Sequence, residues 1–361
     1  MKAAIMEANH EPMVIDEVHI GEPGDHEVHV KWEATGVCHS DVSIWQGKLP
    51  IPPPAILGHE GAGVVVSAGK NDYGLAAGDH VIGSFVPVCG QCFFCKNGQP
   101  FVCATALEIM FRRPFTRSDG SDLGVGPGGL ATFAEEAIVH ESALVKIPEE
   151  FAFDQAALVG CGVTTGVGSV LNAAKVKEGS SCAVIGCGGV GQAVIQGCRI
   201  AGASEIIAVE PNEAKRKVAE GFGATKTVNP SDEDAVEAVK ALTEGRGVDY
   251  GFEVVGVPAL QRQAYDMTRD GGSVVWVGVP NYTDEVSVPA AGTPLANKSI
   301  IGTIYGSAKV REDFVKFLNY TKEGSLDLGS MVSQRVKLAD INDTFTAMLE
   351  GDVIRSVVVY D

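Results

Sequence analysis

From about residue 163 the chain alternates apolar, strand-like runs with helical stretches, and that rhythm limits the possible folds more than anything else in the sequence. SCAVIG (181–186) precedes VGQAVIQGCRIAGA, and EIIAVE (205–210) precedes AKRKVAEGFGA. VDYGFEVVG (248–256), ALQRQAYDMTRD and SVVWVGV (273–279) continue the pattern. Short apolar runs set between helices must be buried on both faces, which predicts βαβ units and a parallel sheet. Residues 1 to about 150 read differently. HEVHVKWEATGV, GAGVVVSAG and GDHVIGSF are short apolar stretches broken by Gly and Pro, as in β-strands joined by turns. After about 304 comes a helix near REDFVKFLNYTKEG, then short pieces ending in IRSVVVY. The parallel-sheet domain, 163–304, therefore reads as inserted into a β-rich domain made of 1–162 and 305–361.

Within that inserted domain, Gly186, Gly188 and Gly191 form G-x-G-x-x-G directly between a strand and a helix. The first glycine allows a tight turn, the second lets backbone approach a pyrophosphate, and the third lets helix and strand pack closely. The helix N-terminus adds N–H groups and partial positive charge. Alone the motif is weak, and a glycine-rich turn followed by an exposed acid is the structural alternative. Here the flanking strand and helix agree with it, as does Glu210, which follows at about the 20-residue interval expected of a ribose-binding acid. Its carboxylate accepts from ribose hydroxyls and repels a 2′-phosphate, so the expected cofactor is NAD.

Cysteine usage supplies the second line of argument. Cys89, Cys92, Cys95 and Cys103 read C-x2-C-x2-C-x7-C, a spacing that wraps a tetrahedral ion from one loop. Four sulfurs leave no open position, so zinc there would stabilise the fold. An iron–sulfur cluster uses similar spacing. A dispersed set, Cys38, His59 and Cys161, offers two thiolates and one imidazole, which suits a three-ligand zinc site with one position free. Spacing alone does not establish that site, because single Cys and His residues are usually just packed. Nine cysteines, four of them crowded together, do not suit a secreted disulfide framework and point to a reduced, cytoplasmic protein. Of the other three, Cys182 and Cys198 read as small core residues, and Cys187, in the glycine loop, as inert.

Charge removes whole classes of partner. With 46 Asp+Glu against 28 Lys+Arg the formal net charge is −18, which repels nucleic acid and anionic membranes. No apolar run approaches the length of a membrane span, and the first residues, MKAAIMEANHEP, lack the apolar core of a signal peptide.

Taken together, GVCHSD, GHEGAG, the CGQCFFC loop, GCGVTTG, GCGGVG and VGVP resemble the zinc-dependent medium-chain alcohol dehydrogenases, in the family's order and over nearly the whole chain. The resemblance implies an α/β architecture: a GroES-like β-rich catalytic domain plus a Rossmann domain, a doubly wound parallel sheet. It implies two zinc ions per chain, a catalytic one on Cys38, His59 and Cys161 with Glu60 beside it, and a structural one on the four-cysteine loop. Ser40 is then the proton acceptor and Asp41 fixes the His59 ring. The cofactor contacts it implies are His39, Thr165, Gly186, Gly188, Gly189, Val190, Gly191, Glu210, Lys215, Val279 and Arg355. The implied reaction is hydride transfer between an alcohol and NAD, giving an aldehyde or ketone, in a homodimer or homotetramer whose partners are small alcohols or aldehydes. Position 40 is Ser where a Thr would add a methyl group, which leaves room for bulky or aromatic primary alcohols.

Three departures stand out. His39 replaces a pyrophosphate-binding Arg of many relatives, and Ser43 replaces the relay histidine of the liver-type enzymes. The segment from Cys103 to about Leu130 is shorter than, and different from, that of the glutathione-dependent formaldehyde branch. Oxidation of thiol adducts of formaldehyde is one rival activity; a non-catalytic nucleotide-binding sensor on the same scaffold is the other.

Overall fold

A computed structural model describes residues 1–110, 112–351 and 353–361, with the Met110 side chain outside the description. The chain divides into two compact units. A β-rich unit comprises Met1–Cys161, Lys309–Asn319 and Leu328–Asp361, and a parallel-sheet unit comprises Gly162–Ala308 and Tyr320–Asp327.

The β-rich unit is organised by the strand Glu27–Gly36. Its alternation is plain: Val28, Val30 and Trp32 are fully buried, and the intervening residues only half so. Antiparallel partners lie along it at Glu60–Ala68, Glu136–His140 and Ser356–Val359. The last of these also pairs in parallel with Gln334–Val336. A small closed barrel, Lys2–Met6, Val14–Ile20, Phe115–Arg117, Asp122–Val125 and Ala55–Ile56, completes the unit. Its core joins Trp32, Phe115, Phe133, Ile44 and Leu57.

The second unit is a six-stranded parallel sheet in the spatial order Lys226–Val228, Glu205–Val209, Ser181–Ile185, Val248–Glu253, Thr268–Trp276, Ser299–Gly302. Strand order reverses between Ser181–Ile185 and Val248–Glu253, the point beyond whose carboxyl ends open parallel sheets bind ligands. Its helices stop and start on local signals. Asn212 caps Glu213–Phe222 by accepting from Lys215 N at 3.2 Å, and Asp234 caps Ala235–Leu242 by accepting from Val236 N and Glu237 N. Residues 320–327, beyond the 163–304 span read from the sequence, join this unit because Gln196 exchanges two hydrogen bonds with the Asp327 backbone. Arg199 Nη2 also donates to Ser325 O at 2.8 Å.

One helical run, Phe153–Ala174, is long and apolar enough to cross a membrane, with mean hydropathy 1.4. Most of its most apolar 18-residue stretch is buried inside the protein, so it reads as a core helix.

Candidate active site

Cys38 stands immediately before the helix His39–Trp45, in extended backbone. Asp41, on the first turn of that helix, is fully buried and accepts from three donors. Its Oδ2 takes Cys38 N at 3.3 Å, and its Oδ1 takes Gly58 N at 3.1 Å and His59 Nδ1 at 3.0 Å. With Nδ1 held by Asp41, Nε2 is the His59 nitrogen left to act as a ligand, and the ring's other side-chain partner is the Cys38 thiol. The edge of the ring meets Phe85 with centroids 5.7 Å apart. Cys161 arrives from far along the chain, on a π-turn at Val159–Val163, a local irregularity that re-aims a helix side chain. Ligand atoms of Cys38, His59, Glu60 and Cys161 lie within 4.8 Å of one another, and all four residues are buried.

The electrostatics match that crowding. Contact with the Cys161 thiol, reinforced by His59 and Arg355, holds Cys38 well below the usual thiol range. The same contact, with burial, pushes Cys161 well above it, so the two thiols titrate as a pair. Burial raises Glu60 to about 7, against the pull of Arg355. Arg355 Nη2 donates to Glu60 Oε1 at 2.6 Å and Arg355 Nη1 to Val37 O at 3.3 Å. A guanidinium only 3% exposed is thus part of this buried cluster. Ser40 is half-buried on the first helical turn, Ser43 is half-buried one turn on, and His39 is exposed.

The four-cysteine loop folds around a common centre. Sγ separations are 3.5 Å for Cys92–Cys95, 4.0 Å for Cys89–Cys95 and 4.0 Å for Cys92–Cys103. Zinc–sulfur bonds of ~2.3 Å in a tetrahedron imply sulfur–sulfur edges of ~3.8 Å, so the loop fits zinc. Backbone N–H groups of Gln91 and Cys92 point at Cys89 Sγ, and that of Cys89 at Cys103 Sγ, which favours thiolates. Backbone hydrogen bonds lower Cys92 to about 6, while burial and its sulfur neighbours lift Cys95 to about 12. Among the described residues all nine cysteines are free thiols, with Cys182, Cys187 and Cys198 fully buried. Burial and the nearby Glu210 push the Cys187 thiol upward, which accords with its reading as inert.

In the parallel-sheet unit the glycine motif takes the strand-to-helix turn. Gly186 has φ +90°, and a Cβ on Gly191 would stand 1.9 Å from Gly186 O. Both therefore serve packing. Gly188 is different: a Cβ there would meet nothing within 4 Å. The protein itself does not require glycine at 188, whereas a pyrophosphate lying across the turn would, and this cradle fits a dinucleotide. Gly189 and Val190 open the helix Gly189–Ile200. Glu210, 7% exposed, accepts from Cys187 N at 2.8 Å and Asn212 N at 3.0 Å, which sets its carboxylate against the glycine turn. Lys215 is half-buried, and its carbonyl accepts from Gln192 Nε2. Val279 is 67% exposed just past the strand Thr268–Trp276, and Thr165 is half-buried beside Gly166, which presses against Val190 O and Ala193. His39 and Arg355 belong to the β-rich unit.

Two features escaped sequence reasoning. The Arg355–Glu60 pair joins residues 295 apart, and nothing local announces it. Glu253, fully buried at the end of a central strand, was legible only as an acid closing an apolar run.

Comparison with known proteins gives the class. Residues 24–149 match the family described as alcohol dehydrogenase GroES-like domain, and residues 189–322 match zinc-binding dehydrogenase. The chain is 36% identical to an S-(hydroxymethyl)glutathione dehydrogenase of Synechocystis sp., covering 99% of both chains. It is 35% identical to alcohol dehydrogenase 2 of Zea mays, over 99% of this chain and 96% of that one. Among solved structures, benzyl alcohol dehydrogenase from Acinetobacter calcoaceticus superposes with a TM-score of 0.93 at 29% identity, covering 100% of this chain and 99% of that one. The chain belongs to the zinc-dependent medium-chain alcohol dehydrogenase family. Its two cysteine-bearing ligand clusters and its glycine cradle fit two zinc ions and NAD.

Proposed function

We propose that this chain interconverts primary or secondary alcohols with aldehydes or ketones using NAD, and that it accepts bulky or aromatic primary alcohols. The carrying observation is the buried convergence of Cys38, His59 and Cys161, with Asp41 fixing the imidazole and Arg355 holding Glu60. Those three ligands would hold a catalytic zinc, with Glu60 able to exchange onto it, and the four-cysteine loop would hold a structural one. Zinc bound there supplies Lewis acidity to an alcohol oxygen, and bound NAD supplies the hydride acceptor.

The chain's own residues do the rest. Asp41 accepts from His59 Nδ1, which fixes the ring with Nε2 as the ligand nitrogen and raises the basicity of that nitrogen toward a metal. Arg355 offsets part of the negative charge that two thiolates and Glu60 place in one buried pocket. Ser40 Oγ takes the hydroxyl proton of the substrate and passes it on. Gly188 admits the pyrophosphate to the helix N-terminus, with Gly186, Gly189, Val190 and Gly191 shaping that turn, and Glu210 selects NAD by accepting from ribose hydroxyls. Thr165, Lys215, Val279, His39 and Arg355 complete the cofactor contacts. Free thiols throughout suit a cytoplasmic location, and a homodimer or homotetramer is the proposed assembly.

A panel of primary, secondary and aromatic alcohols, each assayed with NAD and NADP, tests this reading. Turnover of aromatic primary alcohols with NAD is the expected result. The 36% identity to an S-(hydroxymethyl)glutathione dehydrogenase supports one rival. Activity seen only when glutathione or another small thiol is added to formaldehyde would establish that rival instead.

A further inference from the structure

Burying a carboxylate costs several kcal/mol unless donors surround it, so a fully buried Glu at the carboxyl end of the sheet's switch point calls for a reason. Glu253 ends the strand Val248–Glu253, next to Ser181–Ile185 at the point where strand order reverses. Its Oε1 accepts from Val255 N at 2.8 Å, Gly256 N at 2.7 Å and Val257 N at 3.5 Å. Its main-chain carbonyl accepts from Val277 N at 2.9 Å and Gly278 N at 3.0 Å, at the end of the neighbouring strand. One residue therefore ties down its own turn with its side chain and the adjacent strand end with its backbone.

Those two segments touch through bare backbone. A Cβ on Gly256 would come within 2.6 Å of Val279 O, and one on Gly278 within 2.1 Å of Gly256 N. Gln261 Nε2 closes the ring by donating to Gly278 O at 3.3 Å. On the other side, Val254 N donates to Ile185 O, and Val255 Cγ2 lies 2.4 Å from where a Cβ on Gly186 would stand. The 254–257 turn is thus wedged between the glycine turn and Val279. Around it Val255, Val257 and Val279 are 48%, 41% and 67% exposed, apolar side chains on hydrogen-bonded backbone at the carboxyl end of the sheet's switch point. A preformed apolar rim of this kind suits the face of a planar heteroaromatic ring.

We propose that Glu253 is a positioning residue for the dinucleotide: by holding the 255–257 turn, its carboxylate sets the Val255, Val257 and Val279 rim against which the cofactor's ring end packs. The inference rests on the dinucleotide reading of the preceding section. It gives Glu253 no contact with substrate or cofactor, only control of the backbone that makes those contacts.

The test is NADH affinity, measured by fluorescence titration of the zinc-loaded full chain and its Glu253→Gln, Glu253→Asp and Glu253→Ala variants. Glu253→Gln still offers an Oε1 acceptor to the turn and should bind within threefold of wild type. Glu253→Ala should weaken NADH binding 10- to 100-fold, and Glu253→Asp, whose carboxylate is withdrawn by one methylene, should fall between them. For the folded variants, kcat at saturating NAD should stay within threefold, so that the loss sits in cofactor KM. Glu253→Asp or Glu253→Ala binding NADH as tightly as wild type overturns the proposal, as does Glu253→Gln losing as much as Glu253→Ala. A wild-type chain that binds no NADH would instead sink the dinucleotide reading, and this inference with it.

Discussion

Ser40 and Ser43 lie one helical turn apart on the helix that follows Cys38, yet only one should matter to turnover. A positioned proton-transfer group contributes about 10²–10⁴ in rate, which is the loss expected for Ser40→Ala. A serine hydroxyl at 43 can pass a proton but has no pKa near neutrality; under the proposed mechanism, with release through Ser40 to water, Ser43→Ala should cost less than about threefold. Equal losses in kcat at pH 7 and saturating NAD would make Ser43 an obligatory relay. A different residue pair governs pH dependence. His26 Nδ1 faces Glu141 Oε1 at 2.5 Å, and this bond raises the imidazole pKa above 6.5. Although burial works against ionisation of Glu141, the His26 bond and the N–H groups of Asp72 and Tyr73 bring its pKa below 4.5. The histidine's contribution is complete below 6.5 and is lost as pH rises through its raised value. The glutamate's is present above 4.5 and is lost as pH falls through its lowered value. The pair therefore stabilises most between 4.5 and 6.5. His26 sits at φ +63°, so Asn, which tolerates that backbone, is the suitable probe. His26→Asn should lower Tm by about 1–3 °C near pH ~5.5 and by little near pH ~9, a modest effect because the imidazole side of the pair is open to solvent. The same deficit at both pH values would contradict this assignment.

The two cysteine-bearing elements should fail in different ways. In the loop Cys89–Cys103, whose buried apolar contribution is slight, sulfur ligation replaces a hydrophobic core. Cys95→Ala should therefore lose one of two zinc ions and about 2–4 kcal/mol of stability, or ~5–10 °C in Tm. Cys161→Ala, on a π-turn within a buried helix, should keep its fold and lose turnover. Metal analysis alongside thermal melting separates the two cases, and the reverse pattern would mean the sites are exchanged. Their legibility in the sequence differs for the same physical reason. Four cysteines within one loop carry their geometry in their spacing, so the motif predicts the site. Cys38, His59 and Cys161 are brought together only by tertiary structure, and only family resemblance singled them out. The parallel strands could be read from continuous apolar runs, because burial on both faces leaves a compositional trace. The Arg355–Glu60 pair and the Glu253 turn leave none, since both depend on which backbone groups face an acid after folding.

At the scale of the whole molecule, the β-rich unit is assembled from both ends of the sequence. Ser356–Val359 lies between Glu27–Gly36 and Gln334–Val336, with Val357 and Val358 fully buried. Arg355, at its threshold, reaches Glu60. Removing residues 355–361 should thus cost this unit both a central strand and the guanidinium paired with Glu60. Limited proteolysis should then degrade the β-rich unit and spare a fragment covering residues 162–308. A truncated chain with wild-type circular dichroism and both zinc ions would refute that account. The same arrangement sets a timetable for biosynthesis. Glu27–Gly36 leaves the ribosome roughly 320 residues before Ser356–Val359 does, a wait of about 15–60 s at ~5–20 residues per second. Throughout that interval the nascent chain carries an unpaired sheet edge and several ionisable thiols, exposed to chaperones, stray metals and oxidants, while the parallel-sheet unit, complete by residue 327, can close earlier. Yield of active protein should accordingly follow the zinc available during translation far more than zinc supplied to the finished chain.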